Sequence, residues 1–220
     1  MDLSSYIDHT NLCKDAKADD IIKLCDEAVK YHFTAVCVYP CFVKAVKEYL
    51  KETTVNVCTV VGFPNGMNTS NTKVYEAIEA VENGADEIDM VINIGAVKDG
   101  NYDYVKQEIE EIRDAINGKV LKVIIEECLL TDEEIIKLTE ICNDEFVHFI
   151  KTSTGFDKGG ATLHTVELIN KYKGELLGIK ASGGIKTEKQ AIDFINAGAT
   201  RIGTSHSKEI IGAKNESKME

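Results

Sequence analysis

HFIKTSTGF, residues 148–156, runs an apolar segment into a lysine and then into small polar residues. Phe146, Val147, Phe149 and Ile150 lead up to Lys151. A run that is apolar on both faces reads as a buried β-strand, of the kind found in parallel sheets. Lysine is among the residues least often buried, so its place at the end of such a strand asks for a reason. LLGIKASGG, residues 176–184, repeats the pattern and ends its own apolar run on Lys180.

Working outward, these two runs extend over 146–153 and 176–182, and six more β-rich runs can be marked. They are YIDHT at 6–10, TAVCVYP at 34–40, VNVCTVVGF at 55–63, EIDMVIN at 87–93, VLKVIIEE at 120–127 and RIGTS at 201–205. Helical patterns lie between them, among them ADDIIKLCDEAVKYH, TKVYEAIEAVENG, YVKQEIEEIRDAING, TDEEIIKLTEIC, TLHTVELINKYKG and TEKQAIDFINAG. Several open on Thr or Asp and close on Gly, as capped helices do. The junctions ENGADEIDM and NAGATRIGT resemble each other, each a helix end, a Gly-Ala turn and a strand. Alternating β and α units imply a parallel sheet. Eight of them can close into a (β/α)8 TIM barrel or spread as an open, doubly wound sheet. A barrel needs about 200 residues or more, which 220 supplies. The open sheet usually carries a GxGxxG or a P-loop at its first crossover, and GFPNG and GFDKGG match neither. The expected fold is therefore an α/β (β/α)8 barrel. With only two prolines and no Ser/Pro/Gly-rich linker, residues 1–220 are expected to form one domain.

Hydrophobic residues make up 44 % of the chain, enough for a full core, and the net charge is −12. That charge argues against nucleic acid or an anionic membrane as the main partner, because both select clustered Lys and Arg. A small anion in a locally positive pocket remains compatible. MDLSSYIDHT lacks the basic and apolar regions of a signal peptide, and no apolar run approaches the length of a membrane span. The seven cysteines show no CxxC spacing. They read as reduced thiols, mostly buried, in a cytoplasmic protein.

In a barrel of this kind the chemistry sits at the C-terminal ends of the strands. Lys151 and Lys180 are both there, as is Asp89, read as the only acid inside an otherwise apolar strand, with Asp8 a lesser candidate. Desolvation and a neighbouring cation each disfavour a charged lysine. An ordinary lysine is less than about 0.1 % neutral at pH 7, whereas one brought down by about 3 is roughly a quarter neutral. A neutral amine attacks a carbonyl to give a Schiff base. Two lysines that depress each other are then a nucleophile generator, one attacking while the other stays protonated. An aspartate beside them can shuttle protons. Against this, a lysine near a strand end can snorkel to the rim or pair with Asp89, and Asp89 can hydrogen-bond loop amides. After the last two strands, Gly183, Gly184 and Ser205 offer amides and a hydroxyl where such barrels often bind phosphate. No HxH, HExxH or paired Cys/His spacing marks a metal site, so no metal and no cofactor is expected.

These same residues resemble the deoxyribose-phosphate aldolases almost end to end. The resemblance runs through YIDHTNL, AVCVYP, GFPNG, GADEIDMVINIGAVKDGNYDYV, KVIIEECLLTDEE, FIKTSTGF, GGAT, GIKASGGIKT and AGATRIGTS. It implies a metal-independent Schiff-base aldolase that reversibly splits 2-deoxy-D-ribose 5-phosphate into D-glyceraldehyde 3-phosphate and acetaldehyde. By the same resemblance, Lys151 is the Schiff-base lysine, Lys180 the second lysine that keeps it reactive, and Asp89 the proton-relay acid. Gly155, Gly183, Gly184, Gly203 and Ser205 match phosphate-contacting positions, and Cys37 a noncatalytic pocket cysteine. The partners implied are a sugar phosphate and a second copy of the chain in a homodimer. Three features depart from the family pattern: His206 stands where a second serine is common, Glu127 where threonine is usual, and the tail GAKNESKME lacks a tyrosine that some members use. Two other readings stay open: another Schiff-base lyase on a related sugar phosphate, and a catalytically silent barrel that binds one.

Overall fold

A computed structural model describes residues 1–213; the tail from 214 to 220 lies outside the described residues, so the missing tyrosine has no structural counterpart to report. Eight parallel strands close on themselves: β1 (Ile7–Asn11), β2 (Ala35–Val38), β3 (Asn56–Val61), β4 (Glu87–Val91), β5 (Val120–Ile124), β6 (Phe149–Lys151), β7 (Gly178–Ser182) and β8 (Arg201–Thr204). Every strand pairs with its neighbour in sequence, and β1 with β8, so the sheet has no edge. All eight expected strands are present, with different ends. Most shortened is the run at 146–153. Its first residues still belong to the preceding helix end, where Val147 N–H caps Cys142 C=O and Phe146 sits exposed at φ 52°.

Around the barrel lie α1 (Ala18–Lys30), α2 (Val43–Tyr49), α3 (Ser70–Glu82), α4 (Ile94–Lys98), α5 (Tyr102–Ala115), α6 (Asp132–Asp144), α7 (Leu163–Tyr172), α8 (Glu188–Ala197) and α9 (Ser207–Ile210). Three Thr signals act as read: Thr131, Thr162 and Thr187 each accept a backbone N–H three residues on, and Thr131/Glu134 and Thr187/Gln190 form reciprocal capping boxes. The helix read from Thr72 begins earlier, at Ser70, and its cap is Thr69, which accepts the N–H of Thr72. α2, α4 and α9 are short and carry too few residues for a helical period to stand out.

The main apolar core lies between barrel and helices and includes Ile88, Ile109, Ile112, Leu121, Leu138, Ile150, Ile169 and Ile179. One ion pair is sunk within that layer: Lys73 donates to Glu108 Oε1 (2.7 Å) and to Val91 C=O (2.8 Å), while Glu108 Oε2 accepts Asn93 N–H. It ties α3 and α5 to the chain leaving β4. The barrel interior is different. Branched aliphatics usually fill it, yet here Asp8, Cys58, Asp89, Lys122, Lys151 and Lys180 are buried and joined by hydrogen bonds or ion pairs. Of the seven cysteines, Cys25, Cys37, Cys58 and Cys142 are buried, whereas Cys13, Cys41 and Cys128 are exposed.

Candidate active site

The barrel register sets Lys151 level with Lys180 on the next strand, and Asp89 level with Lys122. Asp89 lies at the centre. Its Oδ2 accepts from Lys151 Nζ at 2.8 Å and from Lys180 Nζ at 2.7 Å, and its Oδ1 accepts from Lys122 Nζ at 2.7 Å and Cys58 Sγ at 3.1 Å. Lys180 Nζ also donates to Asp8 Oδ2. Asp8 Oδ1 accepts from Arg201 Nη1 at 2.6 Å, and the same nitrogen lies 3.1 Å from Glu87 Oε2. Lys122 Nζ is 2.6 Å from that oxygen.

Burial alone would push the Asp8 and Asp89 carboxyls up, but the cations override it and hold both below the usual carboxylate range. Lys180, Lys122 and Arg201 act on Asp8; Lys122, Lys151 and Lys180 act on Asp89. Burial alone would push Lys180 down, yet Asp8 and Asp89 hold it above the ordinary lysine range. Lys122 follows the same logic, with burial outweighed by Asp89, Cys58, Asp8 and Glu87. The sequence expectation of two lysines depressing each other is therefore corrected for Lys180. A carboxylate lies between the two ammonium groups, and a second one backs Lys180, so attraction outweighs repulsion there.

An open cleft of about 950 Å³ lies at the C-terminal mouth, lined among others by Lys151, Gly155, Gly183, Gly184, Gly203 and Ser205. The five residues expected to contact phosphate thus share one cleft with Lys151. Gly183 is at φ 90°, and a Cβ on Gly160 would stand 2.2 Å from Gly183 O, so the loops after β6 and β7 meet backbone to backbone. A Cβ on Gly203 would come within 2.9 Å of Lys180 Cε, so this glycine makes room for the lysine. His206 is half-buried beside the same cleft, with Nδ1 3.2 Å from Ser205 Oγ. Cys37 is fully buried on β2, level with Cys58 on β3, behind the open cleft rather than on its wall. Glu127 leaves the cleft altogether. It is buried near Thr162 and Thr165 at the start of α7, its Oε2 has no hydrogen-bond partner among the described residues, and burial pushes its carboxyl up to about 7.

Sequence reasoning missed Lys122, Glu87, Arg201 and Cys58. Lys122 carried the same signal as the two lysines chosen, a cation inside an apolar strand. Glu87 lies two residues before Asp89, hence on the same strand face, so Asp89 is not the only inward acid of β4. Arg201 opens its strand and reads from sequence as a rim residue. Two groups of three buried donors, Cys37/Cys58/Asp89 and Asp8/Cys58/Glu87, each have their ligand atoms within 4.8 Å of one another, which no sequence spacing announced. The ammonium of Lys122 already lies against Cys58, Asp89 and Glu87.

A closed parallel barrel with lysines and carboxylates converging beneath its C-terminal mouth defines a (β/α)8-barrel enzyme. The family model described as DeoC/LacD family aldolase matches residues 3–211. A deoxyribose-phosphate aldolase from Thermococcus gammatolerans is 54 % identical over 220 residues, covering 98 % of both chains. Among solved structures, an aldolase called QR15 superposes with a TM-score of 0.92 at 42 % identity, covering 96 % of this chain and 95 % of its own. The deoxyribose phosphate aldolase from Aeropyrum pernix, described as a unique tetramer, superposes with a TM-score of 0.89 at 31 % identity, covering 96 % and 90 %. The chain belongs to the DeoC/LacD family of aldolases and is a carbon–carbon lyase.

Proposed function

We propose that the protein cleaves 2-deoxy-D-ribose 5-phosphate reversibly to D-glyceraldehyde 3-phosphate and acetaldehyde, with Lys151 as the Schiff-base lysine. The observation that carries this reading is the single Asp89 oxygen within 2.8 Å of Lys151 Nζ and 2.7 Å of Lys180 Nζ. Lys151 also borders the open cleft, whereas Lys180 and Lys122 lie deeper. The neutral amine of Lys151 adds to C1 of the open-chain sugar, and water leaves to give the iminium. That iminium accepts the electron pair of the C2–C3 bond. Asp89, oriented by the Lys180 ammonium that donates to it, takes the proton of the C3 hydroxyl through a water. Glyceraldehyde 3-phosphate departs, the enamine is protonated at C2, and hydrolysis frees acetaldehyde and the amine. Amides at Gly155, Gly183, Gly184 and Gly203 and the Ser205 hydroxyl hold the phosphate. Cys37 packs beside the site and takes no part.

The reading extends to one domain over residues 1–220, a homodimer, and a cytoplasmic setting. The homodimer rests on the family resemblance alone, and light scattering separates it from the tetramer described for the Aeropyrum relative. The four buried, unpaired thiols suit a reducing compartment.

The test is a coupled assay with 2-deoxyribose with and without its 5-phosphate, joined to borohydride trapping with acetaldehyde and peptide mapping. Two or three hydrogen bonds to a charged group, each worth about 1.5–3 kcal/mol, imply a preference of roughly 10³-fold for the phosphorylated sugar. An adduct confined to Lys180, or a preference below about tenfold, sinks the assignment.

A further inference from the structure

Six charged side chains inside the barrel form a closed ring in which the signs alternate. Arg201 Nη1 contacts Asp8, Asp8 contacts Lys180, and Lys180 contacts Asp89 at 2.7 Å. Asp89 contacts Lys122 at 2.7 Å, Lys122 contacts Glu87 at 2.6 Å, and Glu87 returns to Arg201 at 3.1 Å. Three acids and three bases balance. Lys151 hangs from this ring by one contact, to Asp89 Oδ2, and is the cation with no acid of its own. Removing a proton from Lys180 or Lys122 would leave the ring with excess negative charge in a desolvated interior. Removing one from Lys151 leaves ring and lysine neutral together.

We infer that Lys122, Glu87 and Arg201 are positioning residues that close a charge-balanced ring and so make Lys151, and no other barrel lysine, the amine that sheds its proton. None of the three borders the cleft, so they act through Asp89 and Asp8. The inference rests on the reading of Lys151 as the Schiff-base lysine.

It predicts opposite effects for opposite charge changes. Lys122→Met leaves the ring with one negative charge in excess, which Lys151 neutralises by keeping its proton. Glu87→Gln leaves one positive charge in excess and favours the neutral amine. Cys37 on β2 and Glu126 in the loop after β5 also act electrostatically on Lys151, and both are common to every variant compared. The experiment measures the initial rate of cyanoborohydride trapping with acetaldehyde from pH 5 to 10, with adducts located by mass spectrometry. The half-point of the profile moves to higher pH in Lys122→Met and to lower pH in Glu87→Gln. Each shift is on the order of one pH unit, as for a unit charge several ångström away at an effective dielectric constant near 20. Lys122→Arg keeps the wild-type half-point. If Lys122→Met does not fold, Arg201→Gln carries the same charge change and shifts the same way. An adduct on Lys151 with half-points that stay put, or that move together in both charge variants, overturns the ring. Absence of the adduct from wild-type Lys151 overturns instead the reading on which it rests.

Discussion

Asp89 accepts four hydrogen bonds from three lysines and a thiol, and it is fully buried. Replacing it by Asn keeps the shape and removes the charge that organises all three ammonium groups. Asp89→Asn should lower kcat by about 10²-fold or more, the scale of a positioned acid–base group, with a much smaller change in KM. A change confined to KM would make Asp89 a substrate-positioning residue. Gly203 offers a purely steric counterpart. The added methyl of Gly203→Ala meets Lys180 Cε at 2.9 Å and Ser182 Cβ at 3.0 Å, so the lysine must move. Since misplacement by an ångström can cost about 10²-fold, kcat should fall at least tenfold while the fold stays intact by circular dichroism. An unchanged kcat would show that Lys180 has slack in its seat.

At the scale of elements, the loop between β5 and α6 sets the neighbouring loop in place. Glu126, at φ 51°, accepts the N–H of Thr154 at 3.3 Å and its hydroxyl, fixing the segment that leads into Gly155. Glu127 beside it is a burden on the same loop. Its folded-state carboxyl is raised from 4.5 to about 7, so the folded protein holds this proton more tightly than the unfolded chain does. Stability is then unaffected below about pH 4.5 and is lost as pH rises toward and past 7, by on the order of 3 kcal/mol when ionisation is complete. Glu127→Gln should raise the thermal midpoint at pH 8 and leave it nearly unchanged at pH 4.5. Equal midpoints for the two proteins at both pH values would mean that the side chain swings out to water when it ionises.

Across the whole molecule, eight strands close into a sheet without an edge, and the charged ring occupies the space inside them. The ring's carboxyls make the barrel sensitive to acid. Asp8 and Asp89 titrate lower in the folded protein than their ordinary 3.8. Their contribution is complete above about pH 4 and is lost as pH falls from there through the folded-state values. Urea midpoints should therefore drop steeply below pH 4. Added salt should do little to soften that drop, because buried pairs are weakly screened. A midpoint flat down to pH 2.5 would show that the ring carboxyls contribute nothing net. No helix among the described residues is long and apolar enough to cross a membrane.

Much of this protein is written in consecutive residues. Apolar β-rich runs set between helical patterns mark all eight strands, Thr caps mark three of the longer helices, and the apolar runs that reach Lys151 and Lys180 single out both lysines at the C-terminal ends of their strands. Such features depend on neighbours a few residues apart, where backbone geometry fixes which side chains share a face. The electrostatic character of the site does not. Lys151 meets Asp89 across 62 residues of sequence, and Lys180 meets Asp8 across 172. A charge's energy depends on its distance to every other charge and on how much water remains. Only the closed barrel, which brings β1 beside β8 and stacks Glu87, Asp89 and Lys122 in one desolvated space, decides that Lys180 stays charged, that Lys122 and Arg201 belong to the site, and that Glu127 does not.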